Sequence, residues 1–210
     1  MKKIIVIISL ILVSYNASAQ FAFGLAGNYT TSLGFDQNWN FDSERLKFKN
    51  ETAHGFSAGI FLRGGKRFFV QPELMYNFML STVTIEQNNS GEVQKKKIYL
   101  NTINLPILLG GKIISTSFFN LRIMLGPRFR FDVGSKNEGA NNIETTPRKW
   151  QLGLETGVGF DLGRVTIDGR YNLMQDVFSY KFSSNELNFS PINSFSIGIG
   201  VKLIDVKSRK

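Results

Sequence analysis

His54 is the sole histidine of the 210-residue chain, and Ser43, Glu44, Glu51 and Ser57 stand close to it in sequence. A histidine base near a hydroxyl and a carboxylate is the material of a hydrolytic or acyl-transfer site. Such a site needs a base–nucleophile hydrogen bond, and no spacing motif ties these residues together. The glycine pairs Gly157-Val-Gly159 and Gly198-Ile-Gly200 lie inside alternating segments rather than at a strand-to-helix turn, which argues against a phosphate cradle. The carboxylates show neither EF-hand nor zinc spacing, so no metal and no cofactor is expected. Cysteine is absent, which removes disulfides and lipid anchoring through an N-terminal Cys. The basic run Lys95, Lys96, Lys97 offers point charges that suit lipopolysaccharide phosphates.

The other chemistry-bearing groups are charged residues set at alternate positions between apolar ones. In NLRIMLGPRFRFDV, residues 120–133, Leu121, Ile123, Leu125, Pro127, Phe129 and Phe131 alternate with positions that include Arg122, Arg128 and Arg130. A period of two means a strand with one apolar and one polar face. The pattern recurs eight times: in FAFGLAGNYT from Phe21, HGFSAGIFLR from His54, FFVQPELMYNFML from Phe68, IYLNTINLPILLGG from Ile98, the stretch just described, WQLGLETGVGFDL from Trp150, RVTIDGRYNLM from Arg164, and SFSIGIGVKL from Ser194. The fourth is apolar on both faces in its second half, so periodicity alone leaves its facing open. Each run is long enough to cross a hydrocarbon layer as a tilted strand, which takes about 9–11 residues.

The links between the runs alternate strictly. Those near Gly64–Arg67, Lys112–Ser117 and Leu162–Arg164 are short, and those near Leu33–Thr52, Thr84–Lys97, Gly134–Arg148 and Val177–Pro191 are long and polar. Short turns on one side and long loops on the other predict an all-β fold: an eight-stranded antiparallel up-and-down transmembrane β-barrel of the outer-membrane type. The bulky residues then face lipid, because eight strands enclose only a narrow interior. Aromatics near the run ends, such as Phe21, Tyr29, Phe56, Trp150 and Phe195, suit interfacial girdles. Arg63, Glu73, Arg122, Arg128, Arg130, Glu155, Asp161, Asp168, Arg170 and Lys202 then point into the lumen, where unpaired charge is costly. The expectation is a salt-bridge plug. A turn centred near Leu162–Gly163 sets Glu155 opposite Arg170. Pro72, Pro106 and Pro127 interrupt predicted strands and imply bulges or ladder irregularities.

The N-terminus reads as a secretory signal over residues 1–19: Lys2 and Lys3, an apolar run Ile4–Val13, then Ala17-Ser18-Ala19. The barrel is expected over 20–204, with a short tail at 205–210. The net charge of +9 falls to +7 without the two leader lysines. No nucleic-acid motif accompanies that charge, so anionic lipid head groups are the expected counterpart. After the leader, no segment has the length and apolarity of a membrane-spanning helix.

With strands and loops placed, the chain resembles the PorT-type outer membrane β-barrel domain family over nearly all of its mature length. The resemblance rests on FAFGLAGNYT, GFSAGIFLR, FVQPELMY, INLPILLG, MLGPRFRF, ETGVGFDLG, VTIDGRYNLMQDV and FSIGIGVKL. It implies a small exported gram-negative barrel, inserted by the outer membrane assembly machinery, with outer membrane lipids around it and no shared catalytic motif. The family's name-giving member is linked to secretion. Such barrels usually finish on an aromatic residue, where this chain has Leu203. Three readings follow. The first is a non-enzymatic barrel acting structurally or through its loops. The second is a lipid A-modifying enzyme with His54 at the outer rim, and the third a soluble periplasmic barrel holding a small apolar ligand.

Overall fold

The computed structural model describes residues 20–32, 36–41, 44–50, 53–87, 93–116, 118–134, 136–138, 144–147, 149–174, 178–182, 185–188 and 193–206. Eight of its strands form the barrel wall: β1 (Phe21–Ser32), β2 (His54–Gly65), β3 (Phe68–Gln87), β4 (Val93–Ser115), β5 (Phe119–Asp132), β6 (Trp150–Leu162), β7 (Val165–Met174) and β8 (Ser194–Val206). Each pairs antiparallel with its sequence neighbour, and β1 also pairs with β8, so the sheet closes on itself. Closure leaves no wall edge with unpaired backbone groups. Residues 1–19, expected to form a secretory signal, lie outside the described residues.

Alternation in sequence becomes alternation in burial, in the sense opposite to a soluble barrel. Phe68 is 76% exposed and Phe56 66%, whereas Arg122 is 0% and Asp161 1% exposed. Every one of the eight strands turns most of its large apolar side chains outward, and that overturns the soluble-barrel reading. The ambiguous β4 is resolved by packing: Leu108 turns inward against Phe69 and Met124, while Ile107 and Leu109 face out.

Two of the short turns are Lys66–Arg67 and Gly163–Arg164, and at the third link Thr116 N–H bonds to Phe119 O at 2.8 Å. Gly163 adopts φ 57°, a left-handed conformation that glycine takes without steric cost. At the opposite end the wall runs on beyond the expected loop boundaries. β3 continues to Gln87 and β4 begins at Val93, so Lys95, Lys96 and Lys97 belong to a strand, in register with Thr84, Val83 and Thr82. The stretch from Ser81 to Ile85 is rich in β-branched residues, which favour extended backbone. Glu44–Asn50 adds to β3, and Lys136–Glu138 adds to β4 opposite Lys97–Tyr99. A separate three-stranded sheet joins Glu144–Pro147, Phe178–Phe182 and Asn185–Asn188. β8 reaches Val206, two residues into the expected tail.

The three prolines open the ladder without shifting it. Pairing lapses between Phe61↔Glu73 and Gly64↔Val70, between Pro72↔Ile107 and Met75↔Asn104, and between Pro106↔Arg128 and Leu109↔Leu125. Each gap holds one proline position, facing Leu62, Glu73 or Ile107 in turn. The missing N–H deletes a ladder bond while the register beyond resumes unchanged. The bulges fall elsewhere, at Phe23/Gly24 opposite β8 and at Lys112/Ile114.

Candidate functional site

Inward positions on six strands carry the charged groups. Lys202 on β8 lies 3.8 Å from Asp161 on β6, whose carboxylate also accepts Arg63 Nη1 of β2 at 2.8 Å and an N–H of Arg122 on β5. Arg122 donates its other Nη to Asp168 on β7. Asp168 then accepts Arg170 Nη2 at 2.7 Å. Arg170 also reaches Glu73 on β3, with Nη1 at 2.7 Å and Nη2 at 2.8 Å, and Glu155 on β6 at 2.9 Å. Glu155 takes Arg128 Nη1 at 3.2 Å. The result is a continuous ion-paired chain from the short-turn end to the middle of the barrel and beyond. Arg130 is buried further along β5 and is not a link of this chain; its Nη2 lacks a hydrogen-bond partner.

The two-pronged Arg170–Glu73 contact is the strongest geometry in the set. A guanidinium fork matches both carboxylate oxygens, and each charge-assisted bond is roughly twice as strong as a neutral one. Glycine makes room for these side chains. A Cβ on Gly157 would stand 3.0 Å from Arg170 Cγ, and one on Gly159 would stand 2.6 Å from Arg122 Cζ. Both arginines therefore lie flat across a neighbouring strand that has no side chain at that point.

The pairing of Glu155 with Arg170 is diagonal. The turn sits at Gly163–Arg164, one residue later than the sequence arithmetic places it, so Glu155 registers with Asn172 and Arg170 with Gly157. The long arginine reaches across the difference.

The lumen also has an apolar sector, which charge alternation alone does not reveal. Phe61, Phe69, Met75, Met79, Leu100, Leu108 and Met124 are buried inside. The Arg63 guanidinium carbon lies 5.5 Å from the Phe61 ring centroid and 5.3 Å from that of Phe69. At that range the ring faces attract the cation. Arg63 Nε donates to Gln71 Oε1 at 2.6 Å, and Gln71 Nε2 donates to Glu73 at 2.6 Å, linking this sector to the central pairs. The alternation placed Phe61, Met75 and Met79 on the polar face, but their apolar character was the unused signal.

The rim candidates separate. His54 faces outward, with Nδ1 2.6 Å from the Tyr29 hydroxyl and the two rings stacked. Ser57 is on the inward face, where its Oγ accepts from Asn28 Nδ2 at 3.1 Å. The odd spacing between positions 54 and 57 puts the two on opposite sides of the wall. Ser43 and Glu51 lie outside the described residues. Glu44 opens the strand Glu44–Asn50.

A closed wall with lipid-facing apolar residues and a buried ionic core frames the comparison with known proteins. The sequence matches the family described as outer membrane protein beta-barrel domain over residues 14–173. The chain belongs to that family. Among solved structures, the outer membrane protein OprG from Pseudomonas aeruginosa is similar, with a TM-score of 0.58, 14% identity, and coverage of 89% of this chain and 96% of OprG. Ail, the attachment invasion locus protein of Yersinia pestis, aligns at a TM-score of 0.42 and 12% identity, covering 89% of this chain and 99% of Ail. A comparison with curated protein sequences gave no match. The protein is thus a small eight-stranded barrel of the gram-negative outer membrane.

Proposed function

We propose that this barrel is non-enzymatic, that its ion-paired interior is closed to solute flow, and that it works structurally or through its outward-facing loops. The observation that supports the reading is the Arg170–Glu73–Glu155 cluster, which bridges the lumen between β7, β3 and β6. Beside it, the central cavity lined by Asn28, Ser57 and Asn104 has a volume of about 10 Å³. That space admits roughly one water molecule. Reconstitution into planar bilayers tests the reading: the wild type gives no steady conductance, and an ohmic current through the unmodified barrel would overturn it.

Three finer points belong to the same reading. Cleavage of a leader after Ala19 leaves Gln20 first, and N-terminal sequencing of protein from outer membranes reads this directly. The basic run Lys95–Lys97 lies near the start of β4, a position suited to lipopolysaccharide phosphates. A PorT-type link to a secretion machine would show as an altered secreted-protein profile when the gene is deleted; an unchanged profile removes that link. His54→Ala with unaltered lipid A would in turn remove the rim-enzyme alternative.

A further inference from the structure

At the short-turn end the barrel interior opens into a pocket of about 190 Å³ whose lining includes Arg63, Lys112, Lys202, Asp161, Asp205 and Phe118. The cations enter from three different strands, β2, β4 and β8. Arg63 is 5% exposed, and after bonding to Gln71 and Asp161 its Nη2 has no hydrogen-bond partner. Lys112 Nζ donates to Gln20 Oε1 at 2.7 Å, and none of the described ion pairs engages it. Lys202 pairs with Asp205 at 3.6 Å and with Asp161 at 3.8 Å, the two longest of the ion pairs described. Asp161 is already taken by Arg63 and Arg122. Positive charge therefore exceeds negative charge around this pocket, with three cations against two carboxylates.

The backbone supports a built site. Two register shifts in the described ladders fall at these lysines: one at Lys112/Ile114, the other where Gly24 pairs with Lys202 next to Phe23 with Ile204. A bulge re-aims a side chain that a regular strand would direct elsewhere. Here each one accompanies a lysine that lines the same pocket.

We propose that this short-turn mouth, the periplasmic one in an up-and-down outer membrane barrel, binds a phosphate group, held by Lys112 Nζ and Lys202 Nζ with the Arg63 guanidinium charge beside them. Cations converging from three sides suit a tetrahedral oxyanion with several acceptor oxygens better than a planar carboxylate with two. Lys202 would be shared between the ligand and Asp205. Phe21 and Phe118, both exposed, border the opening on the side facing lipid, so the group can be a phospholipid head or a free phosphate compound. The site is independent of whether the central lumen conducts.

The test titrates inorganic phosphate into the full barrel, folded in phosphate-free nonionic detergent, and follows binding by phosphorus NMR line broadening. Wild type shows saturable binding. Lys112→Gln weakens it by at least about tenfold, as expected for loss of one charged hydrogen bond. Lys66→Gln, at an exposed position of the adjacent turn and outside the pocket lining, leaves it unchanged. Heat-modifiable gel migration verifies that both variants are folded. Absence of saturable binding in wild type, equal binding by folded Lys112→Gln, or acetate binding as tightly as phosphate would overturn the proposal. Repeating the titration in phosphatidylglycerol nanodiscs separates the sources. Loss of free-phosphate binding there, with retention in detergent, assigns the site to a lipid head, and binding in both assigns it to a soluble phosphate; either supports the phosphate site.

Discussion

Arg170 is the residue on which the interior depends most. It touches three carboxylates, Glu73, Glu155 and Asp168, each nearly inaccessible to solvent. Removing it strands those charges where no water can replace it, and breaking a buried pair in this way costs about 3–5 kcal/mol. Arg170→Ala is therefore expected to destabilise the folded barrel by that amount in urea titrations from lipid vesicles. Arg170→Lys keeps the charge but loses the fork, and falls between the two. The glycines are a second residue-scale test. Gly159→Ala places a methyl against the Arg122 guanidinium and lowers stability by about 1–3 kcal/mol, as overpacking does. Gly169→Ala points its methyl toward lipid, within ordinary contact distance of Phe195 (3.9 Å), and is expected to be close to neutral.

At the scale of elements, the prolines define a seam across four strands. Its gaps step from β2/β3 to β3/β4 to β4/β5, each at the same register as a proline. A closed barrel has no solvent-facing edge where a missing donor is harmless, so the loss falls on the wall itself. Amides opposite the prolines, at Leu62 and Ile107, are expected to exchange with deuterium faster than those of Gly59 or Ile123 in micelles. Pro127→Val restores a donor facing Ile107 and slows exchange on that side, with a gain of about 0.5–1.5 kcal/mol for one added hydrogen bond. The alternation of the sequence located this disturbance, and the structure decided its form: a gap without a bulge. A bulge needs an extra residue in one strand, and proline supplies none; it subtracts a donor.

For the whole molecule, the decisive property is which face meets lipid. Trp150 is exposed on the outward face at the loop end of β6. With Trp39→Phe removing the other indole, its fluorescence is expected to be quenched by brominated lipid chains when the barrel is in vesicles. Quenching only by an aqueous agent would contradict the lipid-facing wall. Protease added to intact cells is expected to cut in the long connections and to spare the short turns at Lys66–Arg67 and Gly163–Arg164, as short periplasmic turns and outward loops require.

The number of strands, their order, their lipid-facing side and the inward aim of the charged residues are all legible in the sequence. They follow from local stereochemistry, because successive side chains on a strand point to opposite faces wherever the strand sits. Which acid meets which base is different. Arg170 and Glu73 are separated by 97 positions, and Arg63 and Asp161 by 98. Their meeting depends on the stagger accumulated around a closed wall and on glycines that let a guanidinium cross a strand. Lys112, Asp205 and the pocket they share with Arg63 likewise exist only once β2, β4 and β8 are brought to one mouth. Periodicity reports the face of a residue; closure of the barrel chooses its partners.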